Sequence, residues 1–436
     1  MSSLDPALDL FPLAASILAA ITCGILGNFL LLRRESLMGD AISHGVLPGL
    51  VIGFLLTGDR SPVVMMFGAT AAGVVTILLV SLIRRYGRVE PGAAMGVVFS
   101  VLFALGVLLI EQAAARQVDL DADCVLYGQL ETLAWFDAPT SWAGTLSWST
   151  IQATPRPVWT LAHAGLLARV FTIILFKELR LAVFDPGLAA ALGFRPRLLG
   201  LATNVLVAVA TVASFEAVGS ILVIAMLICP AATARLLTDR LSSQIAWSVG
   251  VALLSTVIGY RAATIVPGWF DGDSVNAAGA MAVCSGGSLA LVMLAAPRHG
   301  VLAGLVRRRK LERRVAIDDL ITALWRNEED AAESATPGNR THARPRGFKA
   351  PRIVGAARRL GLVTGGLPEP RLTEQGRARA TELMIRHRLW ESYLVSEAGL
   401  APDHVHDAAE QLEHVRLAPP RSGDRDPQGR PIPPKP

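Results

Sequence analysis

The sequence predicts an all-α polytopic membrane protein of about nine transmembrane helices, followed by a mainly helical cytosolic domain. Three observations carry this. Apolar residues make up 52% of the chain and gather into long blocks, and roughly 20 such residues cross a bilayer as a helix. Basic residues cluster at alternate ends of those blocks. After residue 296 the composition turns abruptly to Arg, Glu and His. The blocks are too long and uniform for barrel strands, and only helices or closed barrels satisfy backbone polar groups in lipid.

The candidate spans run at about residues 11–32, 41–57, 62–83, 92–110, 158–176, 198–214, 219–237, 243–260 and 275–296. Asp5 and Asp9 replace the basic leader of a signal peptide, so the first block is expected to be a retained span. Arg33 and Arg34 follow the first span, Arg84, Arg85 and Arg88 the third, Lys177, Arg180, Arg195 and Arg197 the fifth, Arg235 and Arg240 the seventh, and Arg298 with Arg307 to Lys310 the ninth. The opposite loops hold only Arg60, Arg116, Arg156 and Arg261. The positive-inside rule then puts the N-terminus outside, the C-terminus in the cytosol and the number of spans at an odd value. The net charge of +5 and pI near 9.3 thus reflect membrane topology and not a nucleic-acid-binding composition. Cys23, Cys124, Cys229 and Cys284 lack the spacing of a metal knot and read as small buried hydrophobes.

Three regions follow: a membrane domain over 1–300, a basic juxtamembrane linker over 301–314 and a soluble domain over 315–436. In the last, Ile317 to Arg326 reads as a short helix, Glu328 to Pro351 as a linker and Ile353 to Leu362 as a second helix. Ala380, Leu383, Met384, His387, Trp390, Tyr393 and Leu394 recur at helical spacing, and a further helix is expected from about His404 to Val415.

The run from Ser36 to Gly49 places Asp40 and His44 four apart, on one helix face, where the second span opens. A carboxylate and an imidazole suit manganese, zinc or ferrous iron. In an apolar helix each carries a penalty of a few kcal/mol unless it serves a cavity or partner. Gly39, Gly45, Pro48 and Gly49 break the helix there, as where backbone lines a transport path. The competing reading is an N-terminal cap by Asp40 beside an interfacial His44.

The run LLRRESLMGDAISHGVLPG resembles the signature of the zinc, manganese and iron class of ABC transporter permeases. GAAMGVVFSVLFALGVLLI, LFKELRLAVFDPGLAAALGF and EAVGSILVIAMLICPAATARLLTDRL are similar to further motifs of that family, in its order. The resemblance covers residues 10–300 and implies that Asp40 and His44 are metal ligands in the translocation path. It also implies that the short helix opened by Asp185 and Pro186, smooth at Ala190 and ended by Gly193, is the coupling helix that docks on an ATPase subunit. The chain has no G-x-x-x-x-G-K-[ST] loop, so it is expected to bind no nucleotide and to draw on a separate ABC ATPase. The expected further partners are an extracytoplasmic metal-binding protein, compatible with Asp119, Asp121 and Asp123 on the outer side, and a second permease, identical or not. The location implied is the plasma membrane of a prokaryote.

In the tail, Glu410 precedes Glu413 by three and His414 by four, which places three ligand types on one helix face, with His387 on the neighbouring helix. A solvated charged face is the competing reading. The run LTEQGRARATELMIRHRLWESYLVSEAGLAPDHVHDAAEQLEHV resembles the repressor family typified by diphtheria toxin repressor and the manganese repressors, and DPQGRPIP is similar to its tail motif, with Gln428 where the family commonly has His. The resemblance implies a degenerate winged helix with metal-binding and dimerisation helices, and metal ligands at His387, Glu410, Glu413 and His414, with Asp319 joining them. The next family ligand position holds Thr322, which supplies no carboxylate. DNA binding rests on Ile353 to Leu360 alone as recognition helix.

The leading expectation is therefore a divalent-metal permease subunit, not an enzyme, with a fused metal sensor; manganese, iron or zinc is both substrate and regulatory ligand, and the repressor resemblance tilts the ion toward manganese or iron. The alternative is a membrane-tethered metal-dependent transcriptional regulator, for which so many spans are excessive. An intramembrane metalloenzyme would want an H-E-x-x-H pattern, which the sequence lacks.

Overall fold

A computed structural model of the chain describes residues 5–57, 62–114, 130–135, 138–139, 145, 148–269, 275–334, 351–365, 369–414 and 424–433. Cys124, Arg60, Arg116 and the acidic Asp119, Asp121 and Asp123 lie outside these. The chain divides into two compact units, Met1–Ala303 and Gly304–Pro436.

The first unit is helical: α1 (Pro6–Leu32), α2 (Met38–Gly45), α3 (Leu47–Thr57), α4 (Pro62–Gly87), α5 (Pro91–Ala114), α6 (Arg156–Ile174), α7 (Phe176–Phe184), α8 (Pro186–Ala191), α9 (Pro196–Leu237), α10 (Leu241–Ile265) and α11 (Ala277–Ala295). Among the described residues, eight helical stretches are long and apolar enough to cross a membrane, with α2 and α3 counted together. Local chemistry sets their ends. Asp5 accepts the Ala7 N–H at 3.0 Å and Pro6 occupies the first turn of α1.

The 42-residue α9 is really two arms, because Gly219 (φ 74°, ψ 164°) leaves the helical region. A straight helix would hold residues 200 and 227 about 40 Å apart. Yet Gly200 packs on Arg33 and Leu227 on Gly27, six residues apart at the end of α1. The chain therefore doubles back at Gly219, giving nine apolar arms among the described residues, the number that the sequence predicts. Large apolar side chains such as Leu108, Ile173, Ile174 and Val283 are left exposed on these arms. Hydrocarbon is the solvent that such faces require.

Small residues let the backbones close. A Cβ on Gly27 would overlap the Leu227 carbonyl, and Gly49 and Gly68 meet backbone to backbone. Gly27→Ala is expected to cost about 1–3 kcal/mol through overpacking, read as a lower unfolding temperature of the detergent-solubilised protein. Gly250, with nothing within 4 Å of an added Cβ, is the control, and Gly250→Ala should leave that temperature unchanged or raise it. An equal response of the two variants would remove the close-approach argument.

The second unit contains most of α12 (Val301–Ser334), then α13 (Pro351–Arg359), an antiparallel hairpin of β1 (Val363–Thr364) with β2 (Arg371–Leu372), α14 (Glu374–Ser396) and α15 (His406–Leu412). Two sequence expectations need correction. Residues 301–314 are no linker but the first part of a 34-residue helix, which also absorbs the short helix expected at Ile317 to Arg326 and the start of the linker expected at Glu328. Its charged stretch lacks an apolar period to signal a helix, yet Arg, Lys, Glu and Leu are good helix formers. Glu413 and His414 also fall in the turn after α15, not on its face with Glu410.

The core of this unit joins Ile317, Leu320, Ile321 and Leu324 of α12 to Val354 and Ala357 of α13, Val363 of the hairpin and Ala380 and Leu383 of α14. Thr373 caps α14, accepting the Gly376 N–H at 3.0 Å and donating to the Gly361 carbonyl at 2.6 Å. The tail motif folds around Asp426, whose Oδ1 accepts the N–H groups of Gln428 and Arg430 at 3.1 and 2.7 Å. The buried Arg388 ties it down by donating to the Pro431 carbonyl and to Glu329.

Candidate metal centres

In the membrane unit, Asp40 and His44 lie on α2 with His44 Nε2 3.5 Å from Asp40 Oδ1. Leu37, not Asp40, occupies the cap position of α2 and makes no side-chain cap bond, so the capping reading of Asp40 fails. The His44 ring is held between Phe99 and Phe103 of α5, at centroid distances of 4.8 and 5.3 Å. Gly45, with no side chain, lets α2 close on Thr76 of α4. Val46, in helical conformation (φ −74°, ψ −28°), joins α2 directly to α3 two residues before Pro48, so both side chains sit in the turns that precede this proline. Two donors fill only part of the four to six positions of a divalent transition metal, leaving the others to water or a second chain.

A buried ion network fixes the chain just before this centre. Glu35, 1% exposed, accepts from Arg33, from Arg84 of α4 and from Asn204 Nδ2 of α9 at 3.1 Å. Its backbone carbonyl accepts the Met38 N–H at 2.9 Å, where α2 begins. Nothing in the hydropathy pattern marks Glu35, because a lone acidic residue after a span reads as interfacial. Of the weaker intramembrane signals, Glu216 is exposed, and the His163 ring lies 2.6 Å from the Trp159 carbonyl within its own helix.

The segment after α6 folds as its sequence predicts. Asp185 Oδ1 accepts the Leu188 N–H at 2.9 Å, Pro186 opens α8, Ala190 lies in its last turn, and Gly193 (φ +86°) ends it. The resulting helix is short, largely exposed and smooth.

In the second unit two sets of ligand atoms converge. His387 and Glu391 of α14 meet His406 of α15, and Asp319 of α12 meets Glu413 and His414; within each set the ligand atoms lie within 4.8 Å of one another. Glu413 joins the two, since its Oε2 is 2.6 Å from His387 Nδ1. His387 Nε2 lies 3.2 Å from Glu391 Oε1 and 3.1 Å from His406 Nδ1, and His414 Nε2 lies 3.1 Å from Asp319 Oδ1. Glu391 and His406 are donors that the sequence analysis missed. The signal was present, because His387 and Glu391 repeat the four-residue spacing of Asp40 and His44. Glu410 is exposed and outside both sets, although its charge reaches Asp319.

Burial opposes a charge on His387, but its hydrogen bonds to Glu391 and Glu413 outweigh that and hold the imidazole above its ordinary pKa. Burial likewise opposes ionisation of Glu391, and the two imidazoles overcome it, so this carboxyl falls below the usual range. Burial pushes Asp319 up, partly offset by His414. The donors fit a divalent metal: mixed imidazole and carboxylate, converging, with His414 Nδ1 buried and without a partner among the described residues. A cation bound at His387 would compete with the proton on the ring nitrogen that it takes.

Comparison with known proteins accords with both halves. The ABC 3 transport family matches residues 10–140 and 149–296, and the iron dependent repressor metal binding and dimerisation domain matches residues 373–416. The manganese transport system membrane protein MntD of Bacillus subtilis is 38% identical over 69% of this chain and 96% of its own length. The zinc transport system membrane protein TroD of Treponema pallidum is 34% identical over 80% of this chain and 91% of its own, so that similarity extends beyond the membrane unit. Among solved structures, PsaBC from Streptococcus pneumoniae in complex with Fab superposes with a TM-score of 0.52 at 28% identity, covering 66% of this chain and 92% of that one. The chain therefore belongs to the ABC 3 transport family, as a multi-pass membrane protein fused to a repressor-type metal-binding and dimerisation domain.

Proposed function

We propose that this chain is the membrane-spanning subunit of an ATP-driven importer of divalent manganese, iron or zinc, and that its C-terminal unit senses the same class of ion in the cytosol. The Asp40–His44 pair, in the turns before Pro48 inside a unit of this family, carries the reading. Asp40 and His44 bind the passing ion, and its remaining positions are filled by water or by a facing permease, identical or not. The chemistry is ligand exchange. A separate ATPase docks on α8 through Asp185, Pro186, Ala190 and Gly193, an extracytoplasmic binding protein delivers the ion, and the N-terminus lies outside.

In the sensor, His387, Glu391 and His406 hold one ion and Asp319, Glu413 and His414 a second. Glu410, exposed in the last turn of α15, is the further carboxylate that this reading assigns to the second set. The relatives named for manganese and for zinc support the class of ion and not one member of it. A membrane-tethered metal-dependent regulator is the second reading, favoured by the β1–β2 hairpin between α13 and α14, which has the position of a wing.

The test is uptake of manganese, iron and zinc in vesicles holding this chain with its ATPase and binding protein. Asp40→Ala and His44→Ala are expected to lower uptake of the true substrate by roughly ten- to a hundred-fold or more, with the protein still inserted. Unchanged uptake in both variants, or none in the wild type, would move the weight to the regulator.

A further inference from the structure

In the second unit, a groove of about 440 Å³ lies between α12, α13 and α14, and Lys310, Arg313, Arg314 and Arg359 line it above an apolar floor that includes Ile317 and Leu360. That volume lies in the range of small-ligand sites. Lys310, Arg313, Arg314 and Ile317 follow spacings of three and four and so share one face of α12. Arg359 reaches the same groove from α13, about 45 residues further along the chain. None of the lining residues is acidic. The fifth cation of the lining, Arg379, is neutralised by Asp318 at 2.7 Å. The other four have no carboxylate partner among the described residues. A groove of four uncompensated cations without an anion is electrostatically unfavourable alone, and it favours a multivalent anionic ligand.

The start of the same helix indicates which one. Val301, Leu302, Leu305 and Val306 are all about half exposed or more, at 47% to 65%. Their spacing of one and four places them on one face of α12. This apolar turn begins six residues after Ala295, the end of the last apolar helix, and the basic run follows it directly. Apolar side chains succeeded by Lys and Arg form the pattern of a helix seated at the boundary between headgroups and acyl chains. Clusters of four to eight basic residues beside a span attract anionic lipid at about 1 kcal/mol each. A DNA duplex would meet the cations but leave the apolar turn uncovered.

We propose that the first turns of α12, with the groove that they share with α13, form a binding site for the phosphate headgroup of an anionic phospholipid. The apolar side chains enter the acyl boundary, and Lys310, Arg313, Arg314 and Arg359 surround the phosphate. The site goes beyond metal transport and does not depend on which ion is carried.

The test uses the full chain in lipid nanodiscs, with amide hydrogen exchange followed over residues 301–320 and 351–362. Phosphatidylglycerol mixed into phosphatidylcholine is expected to slow exchange in both stretches, and high salt to reverse the effect. Lys310→Gln combined with Arg359→Gln, both exposed side chains, is expected to weaken the lipid response by roughly thirty-fold, which removes the protection while metal uptake continues. Exchange that is identical in the two lipids, or protection that survives the double substitution, overturns the proposal. So does equal protection in neutral discs from inorganic phosphate or a random-sequence DNA duplex, which would assign the groove to those anions.

Discussion

Glu35→Ala is expected to destabilise the membrane unit by about 3 kcal/mol and to lower metal uptake with it. The carboxylate is buried and holds together the end of α1, α4 and the first arm of α9 through Arg33, Arg84 and Asn204. Removing it leaves two guanidinium groups facing each other, and Arg33 Nη1 already lacks a partner among the described residues. Breaking a buried pair from one side costs about 3–5 kcal/mol. The lower end applies because the Arg33 and Arg84 side chains are 24% and 33% exposed and water can recover part of the loss. The effect reaches the metal centre through the backbone, since the Glu35 carbonyl holds the Met38 N–H where α2 starts. Glu35→Gln keeps an acceptor for Asn204 and should fall between alanine and wild type. Thermal unfolding in detergent reads the stability, and uptake normalised to inserted protein reads the function. An unfolding temperature for Glu35→Ala equal to wild type would show that the network is dispensable.

How much of this was legible in the sequence depends on the range of the interaction. The apolar arms were, because a span is a local property of some 20 residues, and even the two arms of α9 follow from hydropathy with Gly219 between them. Asp40 and His44 were legible because they are four apart on one helix. The cap at Asp185 and the stop at Gly193 were legible for the same local reason. The Glu35 network was not, since its partners lie 49 and 169 residues away and single charged residues near span ends are ordinary. In the second unit, His387, Glu413, His414 and Asp319 converge as the family resemblance implies, whereas Glu391 and His406, although both lie on expected helices, were not named as ligands. Only the packing of α15 on α14 brings His406 Nδ1 to 2.9 Å from Glu391 Oε1. The length of α12 was hidden because its first half has no apolar period facing a core.

The shared position of Glu413 makes it the most demanding test of the sensor. Its side chain is 1% exposed, it pairs with His387 of one ligand set, and it is itself a member of the other. Glu413→Gln preserves size and an acceptor for the His387 N–H, so the unit should fold, but it removes the negative charge common to both sets. A neutral amide is a far poorer ligand for a divalent transition metal than a carboxylate, so the Asp319 and His414 set falls to two good donors, while the His387, Glu391 and His406 set keeps its three donors and loses the carboxylate that orients His387. An outer-shell substitution costs about ten- to a hundred-fold in metal affinity, so loss of this carboxylate should weaken the His387 set by about that much and the Asp319 set, where it is a donor, by more. Glu391→Gln, by contrast, touches the His387 and His406 set alone, and Asp319→Asn the His414 set alone. The measurement is manganese or iron bound per full-length chain, by elemental analysis after equilibrium dialysis, with the membrane pair removed in an Asp40→Ala, His44→Ala background. Two ions in that background, both bound more weakly in the Glu413→Gln variant and only one of them weakened in each of the other two, is the pattern that a shared carboxylate produces. Two ions retained at undiminished affinity by Glu413→Gln would mean that this carboxylate is not shared between the sets, and no ion bound in the background itself would mean that the sets hold hydrogen bonds and not metal.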